Sequence, residues 1–230
     1  MSFHKPVTTS SSLKVLAHLL SYPDAQLRSH LMELKGALHF EKAIAPARLR
    51  ELDALIDNLN GNDALDIEAQ YVELFDRGRS TSLHLFEHVH GDSRDRGPAM
   101  IDLAQTYEKA GLYLSPDEMP DYLPVVLQFV STQPAQQARE FLGEMAHIFN
   151  AIFNALQQRS SAYASVLGAL IELAGEKAYP VKIVADEPLD AVWEEPIVFD
   201  GCSVKGQAQP DQVQPIHFVK KVSAMTGATP

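Results

Sequence analysis

From Pro134 to Gln158 the apolar residues Ala138, Phe141, Leu142, Met145, Ile148, Ile152 and Leu156 recur every three or four positions. An α-helix puts residues so spaced on one face, because 3.6 residues complete a turn. The spacing returns along most of the chain. Leu13, Leu16, Leu19 and Leu20 form one stripe, Leu27, Leu31 and Leu34 a second, and Leu49, Leu52, Ile56 and Leu59 a third. Ile67, Tyr71, Leu74 and Phe75 form a fourth. Met100, Leu103, Ala104, Tyr107 and Ala110 follow, then Leu123, Val126, Leu127 and Val130, and finally Tyr163, Val166, Leu167, Leu170 and Ile171. Punctuation sits where helices need it: Ser12 and Asp24 as caps, Pro46, Pro98 and Pro134 in first turns, Gly61, Gly91, Gly111 and Gly175 at ends. The short β-like runs, Val181–Val184 and Ile197–Phe199, are isolated, and no repeat of solenoid period occurs. The sequence therefore predicts an all-α protein with a single helical-bundle domain over residues 11–179.

The ends differ from this middle. Residues 1–10 carry no stripe and predict a flexible arm. After Tyr179 prolines at 180, 188, 196, 210 and 215, with acids and glutamines, replace the leucine pattern. Residues 180–230 read as a semi-ordered, acidic, proline-containing tail. It holds the one tryptophan, Trp193, expected to dock back on the domain, and the one cysteine, Cys202.

A lone cysteine leaves no intrachain disulfide, no CxxC and no cysteine metal cluster, and fits a reducing compartment. The N-terminal MSFHKPVTTSSSLK lacks the apolar centre of a secretion signal. The best apolar run, Val166–Ala174, is interrupted by Glu172 and falls short of the ~20 residues a spanning helix needs. A soluble cytoplasmic protein is expected. Thirty acids against 19 bases give a formal net charge of −11. That disfavours nucleic acid, whose phosphates demand a basic surface, and favours a basic partner segment.

Chemistry-bearing residues concentrate between Tyr71 and Leu114. On a helix from about Ser82 to His90, His84 and His88 would share a polar arc with Glu87, opposite Leu83, Leu85, Phe86 and Val89. Two imidazoles and a carboxylate could hold a divalent cation, which makes a helical metal-dependent hydrolase one reading. Against it, Leu85 stands where a metalloprotease helix carries glutamate, and no second HxxxH or ExxH motif occurs. The bland alternative is that the histidines cover a helix seam or donate hydrogen bonds. In the following GDSRDRGP loop, Asp92 and Asp95 alternate with Arg94 and Arg96. This reads as a charge-paired start to the next helix. No GxSxG elbow, phosphate loop or dinucleotide fingerprint is present, so elimination leaves a helical domain that binds something.

The same stretch carries a resemblance. Tyr71-x-x-Leu74-Phe75-Asp76-Arg77-Gly78-Arg79, then Leu85-Phe86-Glu87-His88-Val89-His90-Gly91, then Ser93-Arg94-Asp95-Arg96-Gly97 closely resembles the signature of the NarJ-type chaperones. These assist assembly of respiratory nitrate reductase, within the wider TorD/DmsD-like group of all-helical molybdoenzyme maturation chaperones. The likeness extends more loosely from Leu13 through LLSYPD to LDAVWEEP and Cys202.

The resemblance implies a system-specific chaperone rather than an enzyme. Its partner would be the N-terminal segment of the catalytic molybdenum subunit, held in the cytoplasm during cofactor insertion and before membrane attachment. Cofactor-loading proteins would be further partners. The molybdenum cofactor would belong to the client, leaving no cofactor, metal or catalytic residue of the chain's own. The wider group's Glu-x-Pro-Asp-His pattern, implicated in peptide binding, stands here as Glu118-Met119-Pro120-Asp121-Tyr122, with tyrosine for histidine. The expected groove is Tyr71, Leu74 and Phe75 with Phe86, rimmed by Glu87, His88, Asp121 and Tyr122, with Arg77 and Pro120 alongside.

Overall fold

The structure, a computed structural model, describes residues 10–91, 93–116 and 118–181. Expectations for the tail, with Trp193, Cys202 and the run at 197–199, lie outside the described residues, as do residues 1–9 and 182–184. The protein is all-α. Its helices are α1 (Ser10–Leu19), α2 (Ala25–Glu41), α3 (Pro46–Gly61), α4 (Ala64–Phe75), α5 (Leu85–Val89), α6 (Arg96–Lys109), α7 (Leu123–Ser131), α8 (Ala135–Gln158) and α9 (Ala164–Ala174).

Local chemistry sets the boundaries. The Asp24 carboxylate accepts the Leu27 amide at 2.7 Å and opens α2, while Asp63 accepts that of Leu65 at 2.9 Å and opens α4. Each such cap satisfies an orphan helix donor and is worth about 1 kcal/mol. Pro46 opens α3, where its missing N–H costs nothing. Gly175, at φ 86°, ends α9 in the left-handed region that a side chain would strain.

The centre of the bundle is α9, buried without interruption from Ala164 to Ile171. A helix apolar on every side must be covered on every side. Here α8 and α3 pack against it, while α1 is held between α2 and α7, and α7 also meets α8. The close approach of α3 has a local reason: a Cβ on Gly168 would collide with the Arg48 guanidinium, which reaches Glu172 at 3.1 Å. Tyr71 and Phe75 of α4 reach the start of α9, where both rings meet Tyr163, at 6.2 and 5.1 Å.

The Ser12 cap does not form: α1 begins at Ser10, and Ser12 is buried inside it. Three further expectations change. On α6 only Tyr107 is buried; Met100, Leu103 and Ala104 are half-buried and Ala110 is exposed. That stripe is packed at one end only, where Tyr107 stacks on Phe129 at 4.8 Å. Second, α7 begins at Leu123 rather than near Asp121. Third, α5 spans five residues, and His84 precedes it in extended conformation, at φ −88° and ψ 106°. The last two share one cause. Residues 83–85 and 121–123 pair as an antiparallel bridge centred on His84 and Tyr122, which pulls both segments out of helical geometry.

Candidate functional site

That bridge builds the site. The Leu85 amide donates to the Asp121 carbonyl at 3.0 Å and the Leu123 amide to the Leu83 carbonyl at 2.8 Å. Tyr122 is thereby fixed beside His84, ring centroids 5.5 Å apart, with its hydroxyl 3.1 Å from that of Tyr71. Tyr71 is buried on α4 and donates its own hydrogen to the Leu20 carbonyl at 2.8 Å, tying α4 to the end of α1. Next along the chain, Tyr22 sets its ring edge-on to Tyr71 at 5.6 Å and donates to Glu68 at 3.0 Å.

Together these groups enclose a cleft of about 250 Å³, lined by Tyr22, Tyr71, Phe75, Asp76, Leu83, His84 and Tyr122. Tyr22 also borders a hollow of about 430 Å³ between α1 and α2, lined further by His18, Asp24, Leu27, His30 and Leu34. His18 in turn borders a hollow of about 340 Å³ by α1 and α7, with Leu112, Tyr113 and Phe129 in its walls. Shared walls thus connect the three depressions in a row. The larger two carry fewer residues of the Tyr71–Leu114 stretch, so chemistry rather than size marks the first.

Behind the cleft, Asp121 is fully buried. Its carboxylate accepts the Phe86 amide at 3.2 Å, faces His84 Nδ1 at 3.3 Å and lies 3.8 Å from the Arg96 guanidinium. Arg96 also reaches Glu87 at 3.4 Å. A carboxylate from one segment therefore caps the short helix of another and is neutralised by two cationic or protonatable groups. The hydrogen bond to this carboxylate raises the His84 pKa above its ordinary value, against the opposing effect of burial. Burial is the first cause of the raised pKa values of Tyr71, Tyr122 and Tyr163, so these hydroxyls stay neutral. The Tyr22 pKa is raised first by its bond to Glu68.

The expected groove residues divide. Tyr71, Phe75 and Tyr122 line the cleft. Leu74 packs against the core from its margin. Arg77 is exposed and paired with Glu73 at 3.2 Å. Phe86 meets His90 edge-on at 5.4 Å, and His88 Nε2 lies 2.8 Å from the Ser82 carbonyl. The Pro120 carbonyl accepts the Tyr107 hydroxyl at 2.8 Å. Phe86, Glu87 and Pro120 therefore brace the cleft's wall with Asp121 rather than line the cleft. Tyr22, Asp76 and Leu83 join the lining without having been singled out as binding residues.

The polar arc of His84, Glu87 and His88 does not form. His84 lies outside the helix, and the three side chains turn to Asp121, Arg96 and Ser82 respectively. Among the described residues no three His, Cys, Asp or Glu side chains gather as a metal-holding group. This geometry gives the hydrolase reading no constellation to stand on.

Comparison with known proteins follows the same direction. A family model described as nitrate reductase delta subunit matches residues 41–167. The nitrate reductase molybdenum cofactor assembly chaperone NarJ of Escherichia coli K12 is 44% identical over 193 residues, covering 80% of this chain and 82% of that protein. NarW of the same strain, assigned the same kind of role, is 42% identical over 196 residues, covering 80% of each. Among solved structures, a candidate redox enzyme maturation protein from Archaeoglobus fulgidus aligns with a TM-score of 0.55 at 20% identity, over 76% of this chain and 99% of that one. At that identity the likeness speaks for the fold alone.

Proposed function

The chain belongs to the nitrate reductase delta subunit family, among the NarJ-type molybdenum cofactor assembly chaperones, and on that premise we propose how it works. It is a cytoplasmic, non-catalytic chaperone. It binds the N-terminal segment of the catalytic subunit of respiratory nitrate reductase and keeps that subunit receptive while the molybdenum cofactor is inserted, before membrane attachment. The cofactor is the client's cargo, not a group resident in this chain. Among the described residues no helix is long and apolar enough to cross a membrane.

The observation that carries this reading is the cleft. Tyr71, Phe75, Asp76, Leu83 and His84 of its lining come from the stretch that carries the family signature, Tyr22 and Tyr122 complete its aromatic walls, and its scaffold is the 83–85/121–123 bridge. The hollows that continue from it past Tyr22 and His18 offer an extended segment somewhere to place apolar side chains. Peptide grooves of this kind take affinity from apolar pockets and register from a few polar groups. The chain's −11 charge favours a basic segment and speeds its encounter.

Titration calorimetry of the full chain with a synthetic peptide of the catalytic subunit's N-terminal segment tests the proposal. Saturable binding that weakens as salt rises is expected. A peptide that gives no binding at low salt would overturn it.

A further inference from the structure

Among the described residues, the Asp76 side chain makes no bond that holds the fold together. It is the C-cap of α4, where a negative charge opposes the helix dipole. Its side chain is exposed, and among the described residues it has neither a hydrogen bond nor a cation within ion-pair distance. The adjacent Arg77 is turned to Glu73, and the other acids near the cleft are occupied. Glu68 accepts from Tyr22 and lies 3.9 Å from Arg28, Asp24 caps α2, and Asp121 is buried in its own clasp. Among the described residues, Asp76 is the carboxylate that lines the cleft itself. Its charge also contributes to the raised pKa values of the Tyr22, Tyr71 and Tyr122 hydroxyls, which places all three within its field. Tyr22, 42% exposed, and half-buried Tyr122 supply aromatic walls.

We infer that Asp76 is the specificity-determining anion of the cleft, receiving one lysine or arginine side chain of the bound peptide between the tyrosine rings. An uncompensated carboxylate beside aromatic surface is the arrangement that holds a cation twice, by charge and by the negative face of a ring. The inference rests on the peptide-binding reading above and adds to it which chemical group is read and by which residue. An acid at a helix C-terminus costs stability, and the cation of the client removes that cost only in the complex.

A double-mutant cycle tests it. The full chain and its Asp76→Asn variant are titrated with the client N-terminal peptide and with peptides in which each lysine or arginine is replaced in turn by norleucine. Asp76→Asn is expected to bind the unaltered peptide about tenfold more weakly and with a shallower salt dependence. At one peptide position the two losses coincide instead of adding. Because the side chain has no partner among the described residues, the variant's Tm stays level or rises. Tyr22→Leu, which removes an aromatic wall, lowers the affinity several-fold. Tight wild-type binding that Asp76→Asn leaves unchanged, or a loss that is the same for every peptide, overturns the inference alone. Wild-type protein that binds none of the peptides overturns the peptide-binding reading with it.

Discussion

Replacing Asp121 separates a residue that builds the site from one that touches the client. In Asp121→Ala the Phe86 amide loses its acceptor, His84 loses its partner, and Arg96 keeps only Glu87. The lost cap is worth about 1 kcal/mol, and a hydrogen bond to a charged group about 1.5–3 kcal/mol. The contact to Arg96 is long, at 3.8 Å, and that side chain is 29% exposed, so it adds little. A destabilisation of about 3 kcal/mol follows, toward the low end of what breaking a buried charge pair costs. For a chain of this size that is roughly 6–12 °C in Tm. Asp121→Asn, which keeps one acceptor and the shape, falls by about half as much. Urea unfolding followed by circular dichroism reads both, with the midpoint shifting and the slope unchanged. A loss below about 1 kcal/mol in the alanine variant, together with abolished peptide binding, would refute the assignment. It would make Asp121 a client contact instead.

Three more outcomes follow from the same geometry. The His84 pKa is raised in the folded state, so its contribution to stability is complete below its ordinary value near 6.5 and disappears as pH rises through the folded value. His84→Gln should therefore cost more at pH 5.5 than at pH 9, and an equal cost at both, measured by urea midpoints, would remove the charge-assisted bond. Gly78→Ala puts a Cβ against the Thr81 hydroxyl and the Arg159 guanidinium, and overpacking there should cost about 1–3 kcal/mol in the same assay; a neutral variant would mean that this turn has room. Buried Asn150 exchanges bonds of 2.9 Å with both the N–H and the carbonyl of Tyr179. Asn150→Ala should speed hydrogen exchange of the Tyr179 amide, and unchanged exchange would show that another group holds it.

Local signals carried the helices, and distance in sequence hid the site. The cap at Asp24, the proline that opens α3 and the glycine that ends α9 all act within a turn of their own residue. Periodicity over 64–75 gives α4 and its buried Ile67, Tyr71 and Phe75 directly. The arrangement around His84 was not legible, because its partner Asp121 lies 37 positions away and no local pattern announces a single bridge. A continuous helix over 82–90, on which the polar arc depends, is overridden at its start by this pairing. Tyr22 was hidden likewise: the Tyr-Pro-Asp segment reads as a helix stop, and nothing local shows that its ring will stand against Tyr71. On α6 the failure is of another kind. An apolar stripe says which face can be buried, not whether a neighbour arrives to bury it, and beyond Tyr107 none does so fully.

The central claim is that the client's N-terminal segment lies in the Tyr71–Tyr122 cleft. A photo-crosslinking residue at position 22, on the cleft's exposed wall, and another at position 40 on α2, where Phe40 is 89% exposed, address it directly. Each full-length variant is expressed with the immature catalytic subunit, and the crosslinked peptides are sequenced by mass spectrometry. The account predicts crosslinks from position 22 to the client's N-terminal segment and none to that segment from position 40. Crosslinks from position 40 alone, or from position 22 only to other parts of the client, would contradict it.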